Sequence, residues 1–270
     1  MKIVLLSGSI SSSFATAIIL RLKQQGDSIS MLIVKKRYTI ENIKRIIVTH
    51  GFKKSIAKGI NKFFLKEYSG KSNQSSHLGE YLENLGYNPG IRLKDVIKKS
   101  NIPFIFIRDF TNEKDFSRLR SIRPDIIIYA GGGIIRKELL RVPKIGILNA
   151  HMGLLPKYRG MNVLEWSLFN DDPIGITIHF IDEGIDTGDI LLRKAIPIEK
   201  GDTIKNLRDK SQSISVEALA EVVNKIKNDC MHPIKQKKKD GKQYFVMHTR
   251  FKKLVEEKLQ KLIASSLTYE

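Results

Sequence analysis

The chain has 270 residues, one Cys (Cys230) and one Trp, with 47 Lys and Arg against 28 Asp and Glu, a formal net charge of +19 at pH 7. One cysteine excludes a disulfide framework and a cysteine-based zinc site, and 41% hydrophobic residues is ordinary for a globular chain in a reducing, cytoplasmic setting. The positive surplus points to a polyanionic partner, either nucleic acid or an acidic membrane surface.

The first element reads as a strand over 2–6. Its apolar run is short and is broken by Gly8 and several serines, so strand, loop and helix (13–25) fit better than an export signal. No later run has the length needed to span a bilayer. Between strand and helix, Ser7-Gly8-Ser9-Ile10-Ser11-Ser12-Ser13 places amides and hydroxyls ahead of a helix N-terminus, where a phosphate can be held. Gly8, Ser9, Ser11 and Ser12 are therefore candidate substrate-binding residues that would hold a phosphate, and a merely flexible loop is the competing reading.

A strand at 30–34 leads into the segment 35–71, which carries eleven Lys and Arg against two Glu. Its apolar residues Ile40, Ile43 and Ile47, then Phe52, Ile56, Ile60, Phe63 and Phe64, recur at spacings of three and four. That pattern predicts one or two basic amphipathic helices. Either their apolar stripe packs on the protein's own core or it docks on an anionic surface. A Ser/Gly/Asn-rich linker over 69–76 follows.

Short Ile/Val/Leu-rich runs then alternate with helical patterns. Strands are expected at 104–107, 125–129, 145–149, 176–181 and 190–198, and helices at 93–100, 114–122, 137–141 and 163–170. A last helix over 203–228 opens on the capping signal Gly201-Asp202-Thr203. The alternation predicts an α/β, Rossmann-like fold, a mainly parallel sheet with helices on both faces. Residues 1–228 would form the main α/β domain, with 35–76 as a basic insertion, and 229–270 a short basic C-terminal extension. Within that extension, 235–261 has ten Lys and Arg against three acidic residues, and reads as a turn at Asp240-Gly241, a strand over 244–247 and a terminal helix. The two basic segments hold sixteen of the nineteen surplus charges, which leaves the body close to neutral.

The segment GILNAHMGLLPKYRGMNVLEWSL carries the most chemistry. Side-chain alternation puts Asn149 and His151 on one side at the C-terminal end of a strand, where open α/β sheets bind ligands. A carboxamide beside an imidazole can polarise a carbonyl and move a proton; the competing reading is a strand cap and a loop histidine. Between two later strands lies Asp182-Glu183-Gly184-Ile185-Asp186-Thr187-Gly188-Asp189, four carboxylates and two glycines in one loop. A carboxylate there could orient or charge His151, or the loop is simply solvated. Its Asp-Thr-Gly triplet is also that of aspartic proteases, but those pair two copies on an all-β frame. His50, His77, His179, His232 and His248 lack metal-ligand spacing and are assigned to surface or core packing, so no metal is expected.

Asn149-x-His151, Leu154-Leu155-Pro156-x-Tyr158-Arg159-Gly160, Gly175-Ile176-Thr177 and Asp182-x-Gly184-Ile185-Asp186-Thr187-Gly188-Asp189 together resemble the formyltransferase domain shared by methionyl-tRNA formyltransferase, glycinamide ribonucleotide formyltransferase and sugar-nucleotide N-formyltransferases. The resemblance is strong over about 123–198. It is absent from 35 to about 90 and from 229 onward. It implies transfer of the formyl group of 10-formyltetrahydrofolate to a primary amine. On that resemblance Asn149 would hold the formyl oxygen, His151 would act as acid towards the oxyanion, and Asp186 would tune His151 and help deprotonate the amine. Main-chain groups of Gly132, Gly133, Ile134 and Ile135, with the backbone at Asp182 and Glu183, would read the pterin.

The acceptor expected from the architecture is an amine on a nucleotide-linked sugar, because the C-terminal segment is short for a tRNA-binding domain. Methionyl-tRNA and glycinamide ribonucleotide are the alternatives. A reading from another class is a non-catalytic protein of the same fold that docks on membrane or RNA through 35–71 and 235–261.

Overall fold

The computed structural model describes residues 1–35, 76–107 and 117–266. The amphipathic pattern expected over 40–64 lies outside the described residues, as do 114–116 of the helix expected at 114–122.

In chain order the elements are β1 (Ile3–Ser7), α1 (Ser13–Gln24), β2 (Ile29–Lys35), α2 (His77–Asn84), α3 (Leu93–Lys99), β3 (Phe104–Ile107), α4 (Ser117–Ile122), β4 (Ile126–Ala130), α5 (Lys137–Leu140) and β5 (Gly146–His151). Then come β6 (Tyr158–Gly160), α6 (Val163–Phe169), β7 (Gly175–Phe180), β8 (Ile190–Ala195), α7 (Ile204–Lys227), β9 (Lys242–Tyr244) and α8 (Thr249–Ser266). Seven strands form one sheet in the order β3-β2-β1-β4-β5-β7-β8. β3 through β5 run parallel, while β7 and β8 are antiparallel additions at one edge.

All five residues of β1 are buried, which is why it reads as a continuous apolar run and not as an alternation. Residues of one face, among them Leu5, Leu32, Leu148 and Ile178, join Ile18 and Leu22 of α1 and Leu219 and Val223 of α7 in the main core. Residues of the other face, including Val4, Leu6, Ile127 and Ile147, meet Leu119 of α4 and Leu139 of α5 in a smaller core. Each fully buried aliphatic side chain stabilises the fold by roughly 1.5–3 kcal/mol relative to exposure.

One unassigned helix is added and two expected bounds change. Helix α2 begins where the linker composition ends, because Ser76 is its N-cap and accepts the Gly79 amide at 3.0 Å. The strand expected to run to 198 ends at Ala195; the Ile196 amide still donates to the Ile174 carbonyl at 3.0 Å, and Pro197, which has no N–H, cannot continue the ladder. The C-terminal strand covers Lys242–Tyr244 and not 244–247, since side chains take over the next backbone groups: Trp166 Nε1 donates to the Phe245 carbonyl, and the Met247 amide donates to Asn162 Oδ1. β9 pairs in parallel with β6, and Met247, Val255, Leu259 and Ile263 bury into the main core. None of the described helices is long and apolar enough to cross a membrane.

Candidate active site

The strand order reverses direction between β1 and β4, so the loops after these strands flank the crevice where open α/β sheets take ligands. The two loops are in contact: a Cβ added to Gly8 would lie 2.9 Å from the Cα of Gly132. Next in the sheet is β5, where Ile147, Asn149 and His151 share a face. Its antiparallel neighbour places His179 opposite Asn149 and Thr177 opposite His151. Towards the start of β5 this face packs the smaller apolar core around Ile147, and towards its end it becomes polar.

His151 is only 6% exposed. Its Nε2 lies 2.8 Å from the Tyr158 carbonyl, a pure acceptor, so Nε2 carries the proton and Nδ1 is the nitrogen left for chemistry. Nδ1 faces Asp186 Oδ2 at 3.4 Å. The ring is closely packed, since a Cβ at Gly153 would lie 3.0 Å from His151 Nε2. Thr177 ties down the same loop, donating to the Gly153 carbonyl and accepting the Leu155 amide.

Asp186 comes from the loop between β7 and β8 and holds a left-handed backbone, φ 53°. Its carboxylate accepts the Gly160 amide at 2.9 Å and lies 3.6 Å from His179 Nε2. One carboxylate therefore stands between two imidazoles whose rings are 6.1 Å apart and nearly perpendicular. Burial alone would push Asp186 up, but His179, the charge of His151 and the Gly160 amide outweigh it and hold the carboxyl down at about 2. Burial lowers His151 below its ordinary value, opposed by the negative charge of Asp186. At neutral pH the pair is thus a neutral imidazole beside a carboxylate.

Asn149, His151 and Asp186, quoted separately from the sequence, are brought together here. His179, assigned there to packing, is buried as expected but also meets Asn149 and Asp186, with its Nε2 3.0 Å from Asn149 Nδ2. The signal for it is the register: two strands away in sequence, it falls opposite the asparagine.

In the glycine loop, Ile135 packs against the smaller core, whereas Ile134 is 72% exposed and projects from the surface. Tyr129 Oη brackets Gly133, donating to its carbonyl and accepting its amide, and Lys35 Nζ donates to the Gly132 carbonyl at 2.7 Å. The acidic loop is tied to the start of α5 through Glu183 and Lys137, 3.0 Å apart. The Asp182 side chain turns inward to its own loop, accepting the Gly184 amide and the Thr187 hydroxyl, so what it offers outward is backbone. In the loop after β1, the Ser9 hydroxyl accepts the Ser11 amide, and Ser12, the N-cap of α1, accepts the Ala15 amide.

Fold and site define a Rossmann-like α/β domain with a carboxamide, an imidazole and a carboxylate grouped at the carboxyl end of its sheet. The chain belongs to the formyl transferase family, whose model matches residues 1–223. The methionyl-tRNA formyltransferase of Caldanaerobacter subterraneus subsp. tengcongensis is 34% identical over 152 residues, 55% of this chain and 49% of that protein. The chain spans about half the length of the curated relatives it matches. A sugar N-formyltransferase from a Shewanella species shares the fold with a TM-score of 0.58 at 16% identity, over 96% of this chain and 88% of that one. Glycinamide ribonucleotide transformylase 1 of Symbiobacterium toebii does so with a TM-score of 0.55 at 17% identity, over 85% and 88%.

Proposed function

We propose that this protein transfers the formyl group of 10-formyltetrahydrofolate to a primary amine. The observation that carries the reading is the convergence of Asn149, His151 and Asp186 in a chain of the formyl transferase family. Acyl transfer to an amine needs a donor aimed at the oxygen on which charge develops and a group that takes the proton from nitrogen. Asn149 Nδ2 supplies the first. His151 Nδ1 supplies the second, a departure from the acid role that the resemblance implies, because burial keeps the imidazole neutral: it accepts the proton of the attacking amine as the new C–N bond forms. The Asp186 carboxylate, 3.4 Å away, stabilises the resulting cation. The proton then passes from His151 to the folate nitrogen as the old C–N bond breaks, which leaves the histidine neutral again.

The residues present fit such a donor. Tyr129 and Lys35 take up main-chain groups of Gly132 and Gly133 and so fix the loop, and exposed Ile134 beside them offers apolar surface for a flat ring. Across from it the backbone of Asp182 and Glu183 stands on a loop anchored by Lys137. In this reading Gly132, Gly133, Ile134 and Ile135 bind the pterin side of the donor.

The acceptor we propose is the amine of a nucleotide-linked amino sugar. In support, the fold of a sugar N-formyltransferase accommodates 96% of this chain, and amides of the loop after β1 stand beside Gly132, where a phosphate of the acceptor can be met. Methionyl-tRNA is the second reading, favoured by the 34% identity over half the chain. Purified protein with 10-formyltetrahydrofolate and three acceptors (a nucleotide amino sugar, glycinamide ribonucleotide and methionyl-tRNA) separates them by mass spectrometry of the products. Formylated sugar supports the reading, formylated methionyl-tRNA alone replaces it, and no product with any amine overturns formyl transfer to these classes.

A further inference from the structure

The C-terminal segment reaches the catalytic loop through one side chain. Ile234 and Ile190 exchange both backbone hydrogen bonds at 2.8 Å, and this bridge brings Gln236 against the loop that carries Asp186. Gln236 Nε2 donates to two carbonyls there, that of Asp186 at 3.2 Å and that of Gly188 at 2.5 Å. The amide cannot be turned over, because Oε1 would then face two carbonyl oxygens. As it stands, Oε1 is buried with no hydrogen-bond partner among the described residues. The side chain thus tolerates one unsatisfied acceptor while holding two loop carbonyls.

What it holds is a strained point. Asp186 keeps φ at 53°, a left-handed conformation that Asp tolerates better than most residues with a Cβ but that still costs more than an extended one. From inside the loop, Asp182 braces Gly184 and Thr187; from the front, the Gly160 amide fixes the carboxylate; Gln236 closes the remaining side.

We infer that Gln236, beyond the part of the chain the family model covers, is a positioning residue that sets the backbone of Asp186 and through it the carboxylate between His151 and His179. The C-terminal segment completes the active site. The inference deepens the formyl-transfer reading, and its activity arm rests on that reading.

Two measurements on the full-length protein test it. Gln236→Met keeps the length of the side chain and removes both donors. Amide hydrogen exchange over 182–190 should quicken about tenfold in the variant while α7 stays protected; unchanged exchange overturns the brace, whether or not an acceptor is known. With an active acceptor, kcat should fall about tenfold with KM changed less than about twofold, and Gln236→Met should add nothing in an Asp186→Asn background. Losses that simply add would mark Gln236 as a generic structural residue and overturn the inference. Gln236→Asn, which keeps the amide on a shorter arm, should fall between the two and carries the test if Gln236→Met does not fold. Wild-type protein inactive with every acceptor contradicts the proposed function, and the exchange result then decides the brace alone.

Discussion

Asn149 and His179 stand opposite each other across the antiparallel pair of β5 and β7, the carboxamide Nδ2 3.0 Å from the imidazole Nε2. His179 Nδ1 lies 2.7 Å from the Phe180 carbonyl and donates to it, so with one proton on the ring Nε2 accepts from the asparagine, and a second proton on Nε2 would point to Asp186 Oδ1, 3.6 Å away. The orientation of the Asn149 amide is therefore set by a residue thirty positions later.

Replacing His179 with Leu removes that acceptor and frees the carboxamide to rotate. We expect kcat to fall about tenfold or more, with the KM of the formyl donor nearly unchanged, because the interaction lost acts on the transition state. Steady-state kinetics of His179→Leu and His179→Gln check this, with Gln retaining part of the rate. Equal rates in wild type and His179→Leu would remove His179 from the site.

Acid should destabilise the protein in two stages. An unfolded His151 takes up a proton below about pH 6.5, but the buried imidazole, lowered in the fold, does so only at lower pH, so stability is lost as pH falls below 6.5. Asp186, held at about 2 against roughly 3.9 unfolded, contributes about 2–3 kcal/mol above pH 4 that is lost as pH falls towards 2. Urea unfolding from pH 7 to 4 should show a shallower decline in His151→Gln than in wild type. Parallel curves would mean that His151 does not titrate as its burial implies.

Gly160 has φ 96°, and an added Cβ would lie 2.2 Å from the Tyr244 carbonyl. Gly160→Ala should cost at least about 2 kcal/mol, shift β6 against β9 and draw its amide away from Asp186. Thermal melts should fall by about 4–8 °C, and kcat should drop with them.

Glu165 is buried, its side chain 3% exposed, and is held by Arg208 through both carboxylate oxygens. Arg208→Met leaves that carboxylate without its cation, and we expect a loss of about 3 kcal/mol in chemical unfolding. A loss below about 1 kcal/mol would show that Glu165 is relieved by other means.

Asn149, His151 and Asp186 were legible because each sits in a short polar motif at the end of an apolar strand, where side-chain alternation and the sheet rule already place a ligand. His179 was not, since Ile-Thr-Ile-His-Phe reads as an ordinary buried strand until the antiparallel register sets it against Asn149. Gln236 comes from a stretch dominated by lysines and shows nothing until the Ile190 bridge folds it back. The parallel alternation foretold the sheet, whereas α2 was hidden by the serine that caps it and β9 by side chains that take over the backbone groups after Tyr244. Charge, the loudest signal in the composition, is concentrated in 35–71 and 235–261 and identified none of these residues.

In the proposed reaction His151 and Asn149 act together on a formyl group moving from folate to an amine. Its most direct measurement is radiolabelled formyl transfer from 10-formyltetrahydrofolate to the acceptor panel by wild type, His151→Ala and Asn149→Ala, each verified as folded. Wild type should transfer the label, and each variant should lose about 10²–10⁴-fold. Transfer that survives both substitutions, or a folded wild type that transfers nothing to any amine, would contradict it.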